Sequence, residues 1–156
     1  MANMVLTEES EYSEIFPEMF TPHVHFLNIA PRSICVMIPN ASGETLRALA
    51  LAALLHHATL CSDDSAVLDF YDSHKKLLNS LTHYTRHSAP GEGITWTGSR
   101  EVGMSLYWKG SKALGLLANL TNREQTGDWT VRIHGKVITG TVTVPPLELA
   151  TVEFKI

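Results

Sequence analysis

The chain has 156 residues, 44% of them hydrophobic and 18% charged, which is enough apolar material for a packed core and argues against global disorder. The net charge is -4, and the 12 basic residues form no run, so no nucleic-acid partner is expected. The two cysteines, Cys35 and Cys61, give neither a disulfide framework nor a metal spacing and read as buried thiols of a reducing compartment.

The start of the chain carries Glu8, Glu9, Glu11 and Glu14 where a secretory leader needs a basic start and an apolar stretch, so a cytoplasmic protein is expected. Pro17, Pro22 and Pro31 punctuate residues 1–32, and only His23 to Ile29 reads there as a short strand. Ser33 to Ile38 is a continuous, β-branched apolar run that predicts a buried strand. Asn40 to Glu44 then reads as a loop into a helix start, with Asn40 or Ser42 as the cap.

A first helix is predicted over about 44–60. Its Leu46–Leu55 portion, broken only by Arg47, is apolar all round and too short for a bilayer, which takes about 20 residues. No membrane is expected as a partner. Such a helix wants cover on most sides. Few neighbours are evident in the sequence, so a barrel domain or self-association through this helix is an expected partner. After Cys61-Ser-Asp-Asp-Ser, where Ser62, Asp63 or Ser65 can cap, an amphipathic helix is predicted over about 66–83, with Val67, Leu68, Tyr71, Leu78 and Leu81 on one stripe. His87 to Gly93 reads as a linker.

Past Gly93 six strands are predicted: Ile94 to Thr97, Met104 to Trp108, Ala113 to Leu120, Trp129 to Ile133, Val137 to Val144 and Glu148 to Phe154. Leu114, Leu116, Ala118 and Leu120 share one face, and Trp129, Val131 and Ile133 share another. Closely spaced strands and short turns predict antiparallel hairpins in a sandwich.

Few residues form a candidate site. His23 and His25 sit on one side of a strand, as some metal sites require, and with His56 or His57 would make a small metal-dependent enzyme. No third ligand is identifiable, and adjacent His56 and His57 diverge by about 100 degrees on a helix, so no metal or other cofactor is expected. Glu44, Asp63 and Asp64 stand at helix starts, where capping explains them. Gly91-Glu-Gly93 lacks the strand and spacing of a phosphate loop. Flat aromatics on a β-sheet can stack on sugar rings, so Trp96, Tyr107 and Trp108 are the candidate carbohydrate-binding residues. Tyr107 and Trp108 are consecutive, so they point to opposite faces.

The tail carries a family resemblance. Lys112-Ala-Leu-Gly-Leu-Leu-Ala-Asn-Leu-Thr-Asn-Arg-Glu-Gln-Thr resembles a segment of the C-terminal β-domains of glycoside hydrolases, in which a strand ends in an Asn-Leu-Thr/Ser turn before an acidic or Gln-containing loop. Val142-Thr-Val-Pro-Pro-Leu-Glu-Leu-Ala-Thr-Val-Glu-Phe is similar to their closing strand, and Leu49 to Tyr71 resembles the last helices of a (β/α)-barrel. The resemblance implies an α+β chain: a mainly helical segment over 1–90 and an antiparallel β-sandwich of about six strands over 91–156. Glycoside hydrolases work through two carboxylates, and neither has a matching position here. The resemblance therefore implies a non-catalytic, glycoside-hydrolase-like module with a structural or assembly role. A carbohydrate-binding module is the alternative.

Overall fold

The computed structural model describes residues 6–8, 35–37, 43–57, 59–60, 62, 64–88 and 90–156, with the backbone alone at 6–8, 35–37 and 59. The expected strand over 23–29 lies outside them, as do His23 and His25, the caps Asn40 and Ser42, and Cys61 and Asp63.

Lys112–Asn119 (KALGLLAN) is apolar at almost every position, the signature of a strand buried on both faces. It becomes the middle layer of the molecule. Leu114, Leu116 and Ala118 point into one core, shared with the helices. Ala113 and Leu117 point into a second core, shared with another sheet. The expected face of Leu114, Leu116, Ala118 and Leu120 is therefore correct, and the opposite face is buried too.

In chain order the elements are β1 (Leu6–Glu8), β2 (Cys35–Met37), α1 (Glu44–Leu55), β3 (Thr59–Leu60), α2 (Ser65–Ser73), α3 (Lys75–Leu81), β4 (Arg86–His87), β5 (Ile94–Thr97), β6 (Val102–Lys109), β7 (Lys112–Asn119), β8 (Gln125–Ile133), β9 (Lys136–Val144) and β10 (Leu149–Lys155). The chain is α+β. Strands β10-β7-β6-β4 form one antiparallel sheet and β5-β8-β9 a second, and the two pack face to face as a sandwich. A short sheet, β1-β2-β3, is parallel, and α1 makes the crossover between β2 and β3.

All six expected strands are present, and β4 makes a seventh in the two sheets. The segment expected as a linker is a sheet-to-sheet crossing. The Ser88 amide donates to the Leu106 carbonyl at 2.7 Å, Gly91 to Met104 at 2.9 Å, and Arg132 to Gly93 at 2.8 Å. The backbone is thus hydrogen-bonded to β6 at one end and β8 at the other.

The helices differ from expectation in two places. The first ends at Leu55, because His57 takes a left-handed backbone (φ 57) that stops the helix and turns the chain into β3. The second is split at His74. There the Ser73 hydroxyl donates to the Asp69 carbonyl at 2.6 Å and His74 Nδ1 lies 2.8 Å from the Phe70 carbonyl, so side chains compete with the backbone ladder. Asp64, and not Ser62 or Ser65, caps α2: its carboxylate accepts from the Ala66 amide at 2.8 Å.

The shortage of cover expected for Leu46–Leu55 is corrected by the structure. Leu46, Leu49, Leu51, Leu54 and Leu55 are each at most 4% exposed, enclosed by α2, β3, β6 and β7. Each buried leucine contributes about 1.5–3 kcal/mol. The helix face that the sequence offers to a partner is filled within the chain. Among the described residues the exposed large apolar side chains are Leu68 and Val137, and no helix is long and apolar enough to cross a membrane.

Candidate functional site

The three aromatic candidates are built into the packing. Tyr107 is 2% exposed and faces the helices, where its hydroxyl donates to the Leu54 carbonyl at 3.1 Å. Burial raises its pKa. A ring so enclosed presents no face to a sugar. Trp108 points the other way and packs, half-buried, on the inter-sheet core. Trp96 is half-buried on the same core, its ring lying over Gly127 and Gly98. The indole N–H groups of both tryptophans are buried without a hydrogen-bond partner among the described residues. Trp129 stacks on Phe154 across the sandwich, with ring centroids 5.9 Å apart, as its parity with Val131 predicts.

Two groups of ionisable side chains do come together, and the sequence gives little sign of either. Arg47 donates through Nε to the Leu147 carbonyl at 2.7 Å and pairs with Glu148 at 2.9 Å. The other Glu148 oxygen is 2.6 Å from His74 Nε2. Since the Phe70 carbonyl only accepts, His74 donates from Nδ1 as well, and both contacts form together only when both ring nitrogens carry a proton. Phe70 lies under the assembly, 5.3 Å from the Arg47 guanidinium carbon. One carboxylate thus ties α1 and the α2–α3 junction to the turn before β10. Its one visible trace in the sequence is Arg47, the charge that interrupts an apolar helix.

This clamp is part-buried and hydrogen-bonded, so it should outweigh an ordinary surface pair. Glu148→Ala is expected to cost about 1–2 kcal/mol in urea unfolding. A double-mutant cycle with Arg47→Ala should return a coupling of about 1 kcal/mol that shrinks in high salt. No coupling would mean that the contact holds nothing.

The second group is His57, His87 and Tyr107. The imidazoles of His57 and His87 stack with centroids 5.0 Å apart, and His87 stands opposite Tyr107 in the β4–β6 register. His57 Nδ1 is 3.4 Å from the Tyr107 oxygen. Because the phenol proton goes to Leu54, the tautomer that completes this contact carries its proton on Nδ1. Burial lowers the His57 pKa, and the neighbouring His87 lowers it further. His56, beside it, is buried. Of the remaining candidates, Glu44 opens α1 and Asp64 caps α2. Gly91 and Gly93 are left-handed turn residues of the sheet crossing. Among the described residues no three His, Cys, Asp or Glu side chains are grouped to hold a metal ion.

The tail motif also has a physical account. Asn119 is fully buried, and its amide nitrogen donates to the carbonyls of Arg123 at 2.7 Å, Val144 at 3.1 Å and Pro145 at 3.0 Å. Its oxygen accepts from the Thr121 amide at 3.0 Å and hydroxyl at 2.8 Å. One side chain therefore fastens the β7–β8 loop to the Pro-Pro turn.

No family model and no curated protein matches the chain. Two solved structures of Gan42B, a GH42 β-galactosidase from G. stearothermophilus, one of them a catalytic mutant, superpose on 64% of the chain at 14% identity, with TM-scores of 0.31 and 0.32. The chain spans 14% of the length of those structures.

Proposed function

We propose that the chain is a non-catalytic structural module of the glycoside-hydrolase type, in which the antiparallel sandwich covers and anchors an α/β layer. The observation that carries this reading is the seat of α1. A helix with almost no polar face is enclosed by β6 and β7 on one side and by α2 and β3 on the others. The Arg47–Glu148–His74 clamp then fixes the same helix to the far turn of the sandwich. Apolar burial supplies the affinity and the clamp supplies the orientation. The link to glycoside hydrolases rests on the tail motifs around Asn119 and Pro145.

The reading predicts no turnover of a panel of aryl glycosides by the purified chain above the uncatalysed rate; robust hydrolysis would overturn it. Sugar binding through Trp96 and Trp108 is the alternative, and titration with oligosaccharides followed by tryptophan fluorescence separates the two. No saturable change is expected. A saturable change lost in Trp96→Ala or Trp108→Ala would make the chain a carbohydrate-binding module instead.

A further inference from the structure

We propose that the His57–His87 pair is a proton-operated latch, which holds the end of α1 against β4 while both rings are neutral and lets it go when acid charges them. The pair sits where the helical layer meets the edge of the four-stranded sheet. His57 lies two residues past the end of α1, and His87 is the second residue of the two-residue edge strand β4. The rings stack at 5.0 Å with 26° between their planes, against Tyr107 at 5.6 Å and 5.9 Å. Two neutral imidazoles pack face to face as ordinary aromatic surface. Two imidazolium ions at that separation repel, and each loses hydration by staying.

His57 holds a left-handed backbone (φ 57), uncommon outside glycine but one that histidine, like asparagine and aspartate, adopts more readily than most residues. The titratable groups around the pair, among the described residues, are its neighbour His56, Tyr107 from β6, and Tyr84 from the turn after α3. Tyr84 feels Glu153 on β10, which raises its pKa after burial does. Arg86, next to His87, points to the opposite side of β4 by strand alternation. Of the described groups just named, His56, Tyr107 and Tyr84 carry no carboxylate to neutralise a charge on the stack.

The sign follows from linkage. Burial, then His87, lowers the His57 pKa below its ordinary 6.5, so the unfolded or opened state binds more protons. The stability the pair gives is complete above that value and drains away as the pH falls through it. One proton can supply at most about tenfold per pH unit.

Amide hydrogen exchange by NMR on the full chain tests this, with the His57 amide (bonded to Leu54) and the Ser88 amide (bonded to Leu106) as reporters. After correction for intrinsic rates, their protection should fall on the order of tenfold between about pH 7.5 and about pH 5.5, beyond any fall in the β8–β9 hairpin. His57→Asn keeps a residue suited to the left-handed backbone and removes the titrating ring. In it the two reporters should follow the hairpin within about twofold. His87→Gln should do the same, and carries the test if His57→Asn does not fold. A merely structural role would lower protection equally at both pH values in the variants. The proposal is overturned if the wild-type reporters follow the hairpin, or if a folded variant keeps the wild-type fall. It is also overturned if the His57 ring titrates in wild type at the ordinary value with no response at His87.

Discussion

Replacing Asn119 by alanine is expected to cost about 3 kcal/mol of stability, enough to lower the melting temperature by about 6–12 °C in a domain of this size. The estimate rests on what is left behind. Removing the amide takes away the donor that the carbonyls of Arg123, Val144 and Pro145 share, although Val144 keeps its place opposite Gln125 in the β8–β9 ladder. A buried acceptor without a partner costs about 1–3 kcal/mol, more than the hydrogen bond contributed when made. The Thr121 amide loses its acceptor at the same time. Asn119→Asp sharpens the argument, because it keeps shape and the Thr121 contacts while turning three donations into contacts between oxygens. At neutral pH it should be at least as damaging as alanine. As the pH falls it should recover toward wild type, since a protonated carboxyl can again donate to one carbonyl. Thermal melts of the three proteins at two pH values decide it. If Asn119→Asp melts with wild type at neutral pH, the donor role assigned to this residue is wrong.

The same residue marks the limit of what the sequence discloses. Asn119 sits in the segment whose family resemblance is visible, yet its contacts reach Val144 and Pro145, 25 and 26 residues on, and such distances leave no periodic trace. Local patterns are legible because their causes are local. The alternation of Trp129, Val131 and Ile133 and the turn residues between strands mark all six expected strands after Gly93. β4 escapes notice because two residues cannot show a period, and its partner is β6. The split at His74 escapes because a histidine side chain bonded to the Phe70 carbonyl looks, in sequence, like any other helical residue. Half of the cover on α1 comes from β6 and β7, about 50 residues or more further along, and the Arg47–Glu148 pair spans 101. The functional candidates suffer most. A strand's parity tells that Tyr107 and Trp108 face opposite ways, but in a three-layer arrangement both directions lead inside.

Gly127→Val is expected to cost about 3 kcal/mol, at the upper end of what overpacking does. A Cβ at Gly127 would lie 2.9 Å from the Thr97 carbonyl oxygen and 2.8 Å from the Trp96 ring. The carbonyl is backbone of β5, whose Thr97 pairs with Asp128, so it cannot yield without breaking that ladder. Gly98 approaches the same Cε2–Cζ2 part of the ring, so two glycines make room for it there. Glycine here is therefore a seat for an aromatic ring, the arrangement that lets a large side chain lie flat on a strand. Loss of β5 should appear as exposure of Trp96, read by a red shift of fluorescence and by urea unfolding at a lower midpoint. The milder Gly127→Ala combined with Trp96→Ala separates the two obstacles. The pair should be less destabilised than the sum of the singles by about 1 kcal/mol, the remaining cost belonging to the Thr97 carbonyl. Trp96→Ala alone, which empties a half-buried seat, should cost about 2 kcal/mol. If that single substitution left stability untouched, the ring would be a surface available to a sugar and the packing account of this tryptophan would fail.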